Sequence, residues 1–250
     1  MRSGRISCIQ GSVRKRIARG GLPGDEAPAA ASDEAADILQ FKIWLKGLSP
    51  MIWRRIQVPE NMTLRELHGI FQVAMGWEGI HLFAFDLRAV RYGSHELSVR
   101  SPDMRLGDLL LRKGARFAYE YDLNIPWEHE VRLEDRLQIQ PLRHYPYCVD
   151  GHGACPPEDC GGPAGFLEQR DASYSCEAFD DLTRMADFIN EVVLKERFEL
   201  RRDTDLVEEL RDVLERMQMR EAWKGRPFAR QGVNNALKKG EHLELMHQQW

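Results

Sequence analysis

From Ile38 onward the order of apolar and polar residues becomes regular. In "LQFKIWLKG", Leu39, Phe41, Ile43 and Leu45 fall on one side, the period of two expected of a strand with one buried face. Gly47, Ser49 and Pro50 make a turn, and "MIWRRIQV" predicts a second strand with Ile52, Ile56 and Val58 on one side. Arg54 stands among them, either as an inward-facing charge or turned outward by a twist or bulge. The period then changes. Leu67, Ile70, Phe71 and Ala74 are spaced by three and four, which predicts a helix. Thr63 and Glu66 form a Thr-x-x-Glu capping box before it, and Gly76 is placed to end it in the left-handed conformation.

Three more alternating runs follow. Phe83, Phe85 and Leu87 share one side of "HLFAFDL", Phe117, Tyr119 and Tyr121 one side of "RFAYEYDL", and Trp127, His129, Val131 and Leu133 one side of "WEHEVRL". Alternation therefore aims His129 toward a core or a cleft. "MRLGDLLLRKG" predicts a short helix closed by Gly114. After Phe166, Phe179, Leu182, Ala186, Ile189 and Val193 recur at helical spacing, as do Leu206, Leu210, Val213, Leu214 and Met217. These predict amphipathic helices with charged outer faces, forming a C-terminal helical layer. The last stretch, from Gly225, predicts a loop and then a short helix or tail.

Strands with short connections and interspersed helices predict an α+β fold: a mixed, mostly antiparallel sheet packed by helices. Residues 1–37 hold Arg2, Arg5, Arg14, Lys15, Arg16 and Arg19, then a Gly-, Pro- and Ala-rich run with little to bury. They predict a disordered basic tail, with a nucleic-acid-contacting arm as the alternative. The expected organisation is thus a tail over 1–37, an α+β domain over 38–170 and a helical extension over 171–250.

Composition narrows the function classes. The chain has 250 residues, 43% hydrophobic and 30% charged, with a net charge of −4, so a substantial core is affordable and a wholly basic, nucleic-acid-coating surface is not. No apolar run approaches the roughly 18–20 residues that cross a bilayer, and the N-terminus lacks a continuous apolar segment of the secretory kind. The expected setting is cytoplasmic, without membrane contact. Five cysteines, an odd number, are read as reduced thiols. Neither phosphate-binding glycine motif is present, so no nucleotide cofactor is expected.

Two constellations carry candidate chemistry. "CVDGHGACPPEDCGGPAGF" places Cys148, His152, Cys155 and Cys160 close together. Thiolates and imidazole suit tetrahedral zinc, but the C-x2-C chelate of most structural zinc sites is missing and Pro156 and Pro157 stiffen the spacer. The competing reading is a rigid loop: buried cysteines, a double-proline rod, a turn at Gly161 and Gly162, and Glu158 and Asp159 accepting backbone N–H bonds or pairing with Arg54 or Arg55. The second set is His68, His81, Asp122 and His129, which can hold a divalent metal with an open position for water if all face one cleft, and are otherwise hydrogen-bonded core or turn residues. No activated nucleophile is apparent, and no catalytic residue is assigned. Arg54, Arg55, Arg112, Lys113 and Arg116, near aromatic strands, are the candidates for nucleic-acid contact, against a reading as solvated faces balanced by nearby acids.

Four segments in this order, "FKIWLKGLSPMIWRRIQVPENMTLRELHGIFQVAMGW", "HLFAF", "YEYDLNIPWEHEVRL" and "CVDGHGACPPEDCGG", resemble the plasmid ORF-three-like family, named for an open reading frame on a root-inducing plasmid. The resemblance covers about Ile38 to Phe166. It implies an α+β fold and a bacterial cytosolic setting linked to mobile DNA, and it brings no agreed activity. The chain departs from the family pattern at Phe83, where relatives carry a second histidine, and at Asn124-Ile125, where they carry Gly-Asp. The function expected is a non-catalytic accessory or interaction protein, with DNA or a protein as partner. The alternative is a metal-dependent, hydrolase-like enzyme built on the His/Asp or Cys/His set, with zinc as the metal.

Overall fold

The computed structural model describes residues 37–247. The tail expected over 1–37 therefore lies, apart from Asp37, outside the described residues. Seven strands form one sheet: β1 (Ile38–Leu45), β2 (Trp53–Pro59), β3 (Phe83–Leu87), β4 (Val90–Gly93), β5 (Arg116–Tyr121), β6 (Trp127–Leu137) and β7 (Tyr147–His152). Their order is β4-β3-β5-β6-β1-β2-β7, and every pairing is antiparallel. The fold is α+β, as expected.

The alternation read from the sequence is the burial pattern of the sheet. Leu39, Phe41, Ile43, Phe85, Tyr119, Tyr121, Trp127 and Val131 are all buried on its inner side. Burying each such side chain contributes about 2–3 kcal/mol relative to leaving it in water. Helix α1 (Leu64–Met75) lies on this face. It starts at the expected capping box, with Thr63 N donating to Glu66 Oε2 at 2.7 Å and Glu66 N to Thr63 Oγ1 at 3.2 Å. Gly76, with φ of 83°, ends it.

Ten of the twelve residues of α1 are buried, more than an amphipathic stripe accounts for. Its back is covered by α5 (Arg230–Lys239) and α6 (Glu241–Leu245). Gly69 is the close-approach point: a Cβ there would meet the carbonyl oxygen of His242 at 2.0 Å. Only glycine lets α6 sit that near α1. The opposite side of the sheet is a ladder of ion pairs, among them Arg55–Glu134, Lys113–Asp135 and Arg116–Glu130.

The structure corrects three expectations. "MRLGDLLLRKG" holds only one tight turn, Gly107–Leu109. Its backbone is engaged elsewhere, Leu106 N donating to Met62 O and Gly107 N to Glu60 O at 2.8 Å each. Tyr147–His152, read as loop, is the edge strand β7, which buries Cys148 and Cys155 behind it. The third concerns α3 (Cys176–Ile189), which pairs with α4 (Thr204–Trp223). Its supposed core face is open: Phe179 is 69% exposed, Leu182 54% and Ile189 52%, and Val193, in the π-helical turn Asn190–Leu194 that continues the helix, 61%. The face turned inward carries Asp181, Met185, Phe188 and Val192 instead. Asp181, 3% exposed, accepts from Arg216 and Arg220 of α4 at 2.6 Å, and that ion cluster sets the rotation of α3.

Candidate functional site

The motif segments converge on a corner formed by Cys155–Gly162. Trp77, just past α1, donates its indole N–H to Pro156 O at 2.9 Å, and Trp127 of β6 donates to Glu158 O at 3.0 Å. Glu78 N donates to Glu158 Oε2 at 2.7 Å, and the Tyr121 hydroxyl donates to Glu158 Oε1. Burial and the Glu158 carboxylate both push the Tyr121 phenol well above its ordinary range, so it remains a donor. The His81 ring bonds Asp159 Oδ1 at 2.7 Å. Cys155 exchanges backbone hydrogen bonds with Arg226, closing the corner from the C-terminal side. Double proline removes two donors that would otherwise need partners, and Gly161 and Gly162 turn the chain into α2 (Gly162–Ala172) with φ of 82° and 69°. The corner borders a cleft of about 400 Å³ lined in part by Trp77, Glu78, Asp159, Trp223 and Arg226.

The cysteines lie behind this corner. Cys148, Cys155 and Cys160 are buried free thiols, and burial pushes them up to about 11, about 12 and about 11. Such groups are protonated at neutral pH and are poor nucleophiles. The His152 side chain is exposed. Among the described residues, no three His, Cys, Asp or Glu side chains are grouped to hold a metal ion.

The second set divides. The hydroxyl of Tyr119 accepts from Gln72 Nε2 at 2.8 Å and bonds His68 Nδ1 at 2.7 Å. With the amide as donor, the hydroxyl proton goes to His68. His68 stacks on Phe83, ring centroids 3.8 Å apart. His129 reaches Tyr119 from the other end, Nδ1 lying 3.3 Å from its carbonyl oxygen. Burial lowers both imidazoles to about 3, so both are neutral at pH 7. His68 Nε2, Gln72 Oε1 and His129 Nε2 make no protein hydrogen bond. His81 belongs to the corner. Asp122, at φ of 56°, accepts from Asn124 N and Ile125 N and shapes the β5–β6 turn. The four do not share one cleft.

Arg54 takes the inward-facing alternative of its sequence reading and departs from its place among the candidates for nucleic-acid contact. It is 1% exposed, inward-facing, and no carboxylate meets it. Its guanidinium donates to Ala74 O (2.9 Å), Trp53 O (2.8 Å), His152 O (2.9 Å) and Gly153 O (3.1 Å), and lies 4.3 Å over the Phe228 ring. Ala74 O is in the last turn of α1, where the helix dipole is negative, so the carbonyls offset the buried charge. Arg54 thereby ties α1 to the β2–β7 edge and is closed to a phosphate. Arg55 pairs with Glu134 at 2.6 Å, so neither arginine meets Glu158 or Asp159. Lys113 and Arg116 are ion-paired, and Arg112 is exposed. Sequence reasoning also missed Asn234 of α5, which accepts from Cys148 N at 2.7 Å and donates to Cys148 O at 2.9 Å. That side chain completes the β7 edge, and no local pattern marks it.

Fold and site together define an α+β protein with an aromatic core sealed by a proline corner, in which the signature side chains are bound to one another. The chain belongs to the plasmid pRiA4b ORF-3-like protein family, whose sequence model matches residues 37–201. That match runs through α3, beyond the segments in which the resemblance is readable by eye. The chain is 35% identical over 152 residues to uncharacterized protein y4hQ of Sinorhizobium fredii (strain NBRC 101917 / NGR234), covering 58% of this chain and 75% of that protein. It is similar to the crystal structure of protein of unknown function MM3350 from Methanosarcina mazei Go1, with a TM-score of 0.53 and 32% identity over 57% of this chain and 84% of that one. Among the described residues, no helix is long and apolar enough to cross a membrane.

Proposed function

We propose that this chain is a non-catalytic accessory protein that works by binding another protein, and that the open face of α3 is its contact surface. One observation carries the reading: Phe179, Leu182, Ile189 and Val193 form an apolar stripe turned to solvent. Nine of the seventeen large exposed hydrophobic residues among those described lie between Tyr174 and Met219, while the rest are scattered over the remainder of the fold. Exposed apolar side chains gathered on one face mark interaction sites. The groups with chemical potential support the same reading from the other side, being neutral, protonated or engaged in structural bonds. Four of the five basic candidates for nucleic acid are buried or ion-paired, which favours a protein over DNA as partner. The family takes its description from a plasmid open reading frame, and we place the accessory role in mobile DNA on that basis.

A photo-reactive amino acid at Leu182 tests the assignment in cells. Irradiation is expected to join the chain to a protein at this position and not at Leu110, a more open but isolated leucine of the sheet region. Equal yields at the two positions, or none at Leu182, would overturn the reading.

A further inference from the structure

We propose that the cleft between α5 and residues 140–147 binds a soluble phosphate monoester, holding the phosphate and part of the organic group it carries. The cleft shares no residue with the α3 face, so the two assignments are tested separately.

The cleft measures about 660 Å³, inside the roughly 300–1,000 Å³ of small-molecule sites. Its charged and titratable lining is Arg143, His144 and Lys238, and no carboxylate lines it, in a chain whose net charge is −4.

Arg143 is held in place before any ligand arrives. Its guanidinium lies 4.7 Å over the Tyr147 ring, and Nη1 donates to Gln57 Oε1 at 3.0 Å. Gln57, 5% exposed, is fixed in turn: its Nε2 donates to Gln40 Oε1 at 2.9 Å, and Gln40 Nε2 donates to Glu134 Oε2 at 3.2 Å. This chain turns the Gln57 amide oxygen toward Arg143 and leaves the other N–H groups of the guanidinium fork for a ligand. The opposite wall is fixed as well. Asn234 of α5 is clamped to both backbone groups of Cys148, at 2.7 and 2.9 Å. Lys238 follows it by four residues on the same helix, which sets both on one side of α5. The negative end of the α5 dipole, about half a charge, is outweighed by the full charges of Arg143 and Lys238.

The donors select the ligand class. A carboxylate is satisfied by the arginine fork alone and leaves the lysine without a counter-charge. A phosphate monoester carries about −1.5 to −2 at pH 7 and three acceptor oxygens, which matches both cations and leaves an oxygen for the His144 ring. Pro141, Pro146 and the fully exposed Leu142 supply an apolar wall for the organic part.

Titration of the full chain with phenyl phosphate, followed by amide NMR signals, tests this. Saturable shifts at residues 140–147 and 234–238 are expected, with a dissociation constant below about 1 mM in about 0.15 M salt. Benzenesulfonate, with the same ring and one charge, is expected to bind at least about 5-fold more weakly, as is inorganic phosphate, which has no ring. Lys238→Met and Arg143→Met are each expected to weaken phenyl phosphate about 10-fold with the fold kept by circular dichroism. Lys239→Met removes the same charge from a side chain that meets Glu241 at 3.6 Å and lines a different cleft, and is expected to change affinity less than about 2-fold. No saturable shift up to about 10 mM, equal binding of benzenesulfonate, or undiminished binding by Lys238→Met would overturn the inference. A lipid head group offers the same phosphate, and vesicles of phosphatidic acid in phosphatidylcholine separate that source. Capture of the chain by such vesicles without binding of phenyl phosphate would overturn the soluble ester; binding of phenyl phosphate without capture supports it.

Discussion

The sheet with α1 and the α3–α4 pair are built on opposite rules. In the first, apolar faces meet and the polar groups among them are held internally: Arg54 by four hydrogen bonds to carbonyls, His68 and His129 by Tyr119, Glu158 by two N–H or O–H donors. In the second, an ion cluster centred on Asp181 sits between the helices and much of the apolar surface points out. Rigidity belongs to the first region, and the contact surface proposed above to the second. The signature loop, whose composition invites a metal or catalytic reading, serves rigidity; a helix with no motif at all presents the exposed apolar face.

The contrast can be tested by removing what each region depends on. The largest effect is expected from Arg54→Met, which strands four carbonyls in the interior: about 4 kcal/mol lost in urea unfolding, against about 1 kcal/mol for Arg55→Met on the part-buried ladder. Acid comes next. His68 and His129 sit at about 3 in the folded protein, below their unfolded value near 6.5. The unfolded chain therefore binds more protons below pH 6.5, so their contribution is complete above that pH and is lost as pH falls toward 3. Unfolding free energy is expected to drop by about 4 kcal/mol from pH 7.5 to pH 5, and His129→Leu to remove about half of that slope. The Asp181 carboxyl, which the hydrogen bonds of Arg216 and Arg220 hold at about 2, has the opposite window: its contribution is present above its ordinary value of 3.8 and is lost only below it. Acid titration thus separates the regions, histidines first and the ion cluster last.

Gly69→Ala should be somewhat milder, costing about 2–3 kcal/mol by forcing α6 off α1, with faster amide exchange in α6 as the local signature. Asp181→Asn is expected to cost about 1 kcal/mol and to raise exchange in α3 and α4 without altering the sheet. The smallest effect sharpens the comparison most. Phe179→Ser is expected to change stability by less than about 0.5 kcal/mol, whereas Phe85→Ser in β3 abolishes cooperative unfolding. A large loss from Phe179→Ser would mean that the stripe is core, and the division between the two regions would fail.

Much of the first region was legible in the sequence. Alternation identifies β1, β2, β3, β5 and β6 and their buried faces, and Thr63, Glu66 and Gly76 delimit α1 almost to the residue. The short edge strands β4 and β7 were not legible, since four residues, or one buried cysteine among glycines and acids, leave no period to read. In the candidate site, sequence placed His129 inward and the proline corner as rigid backbone. It did not foresee that Glu158 takes Tyr121 and the Glu78 N–H, that Asp159 takes His81, or that Asn234 completes the β7 edge.

The sequence by itself determined which segments are strands and helices and which of their faces are apolar, because those properties repeat within a few residues of the chain. Only the tertiary structure decided which apolar face is covered and which polar group is buried. Arg54 is inside because carbonyls from three separate segments converge on it. The stripe of α3 is outside because Asp181 turns that helix toward two arginines more than thirty residues away in sequence. Partners at that separation leave no trace in local periodicity.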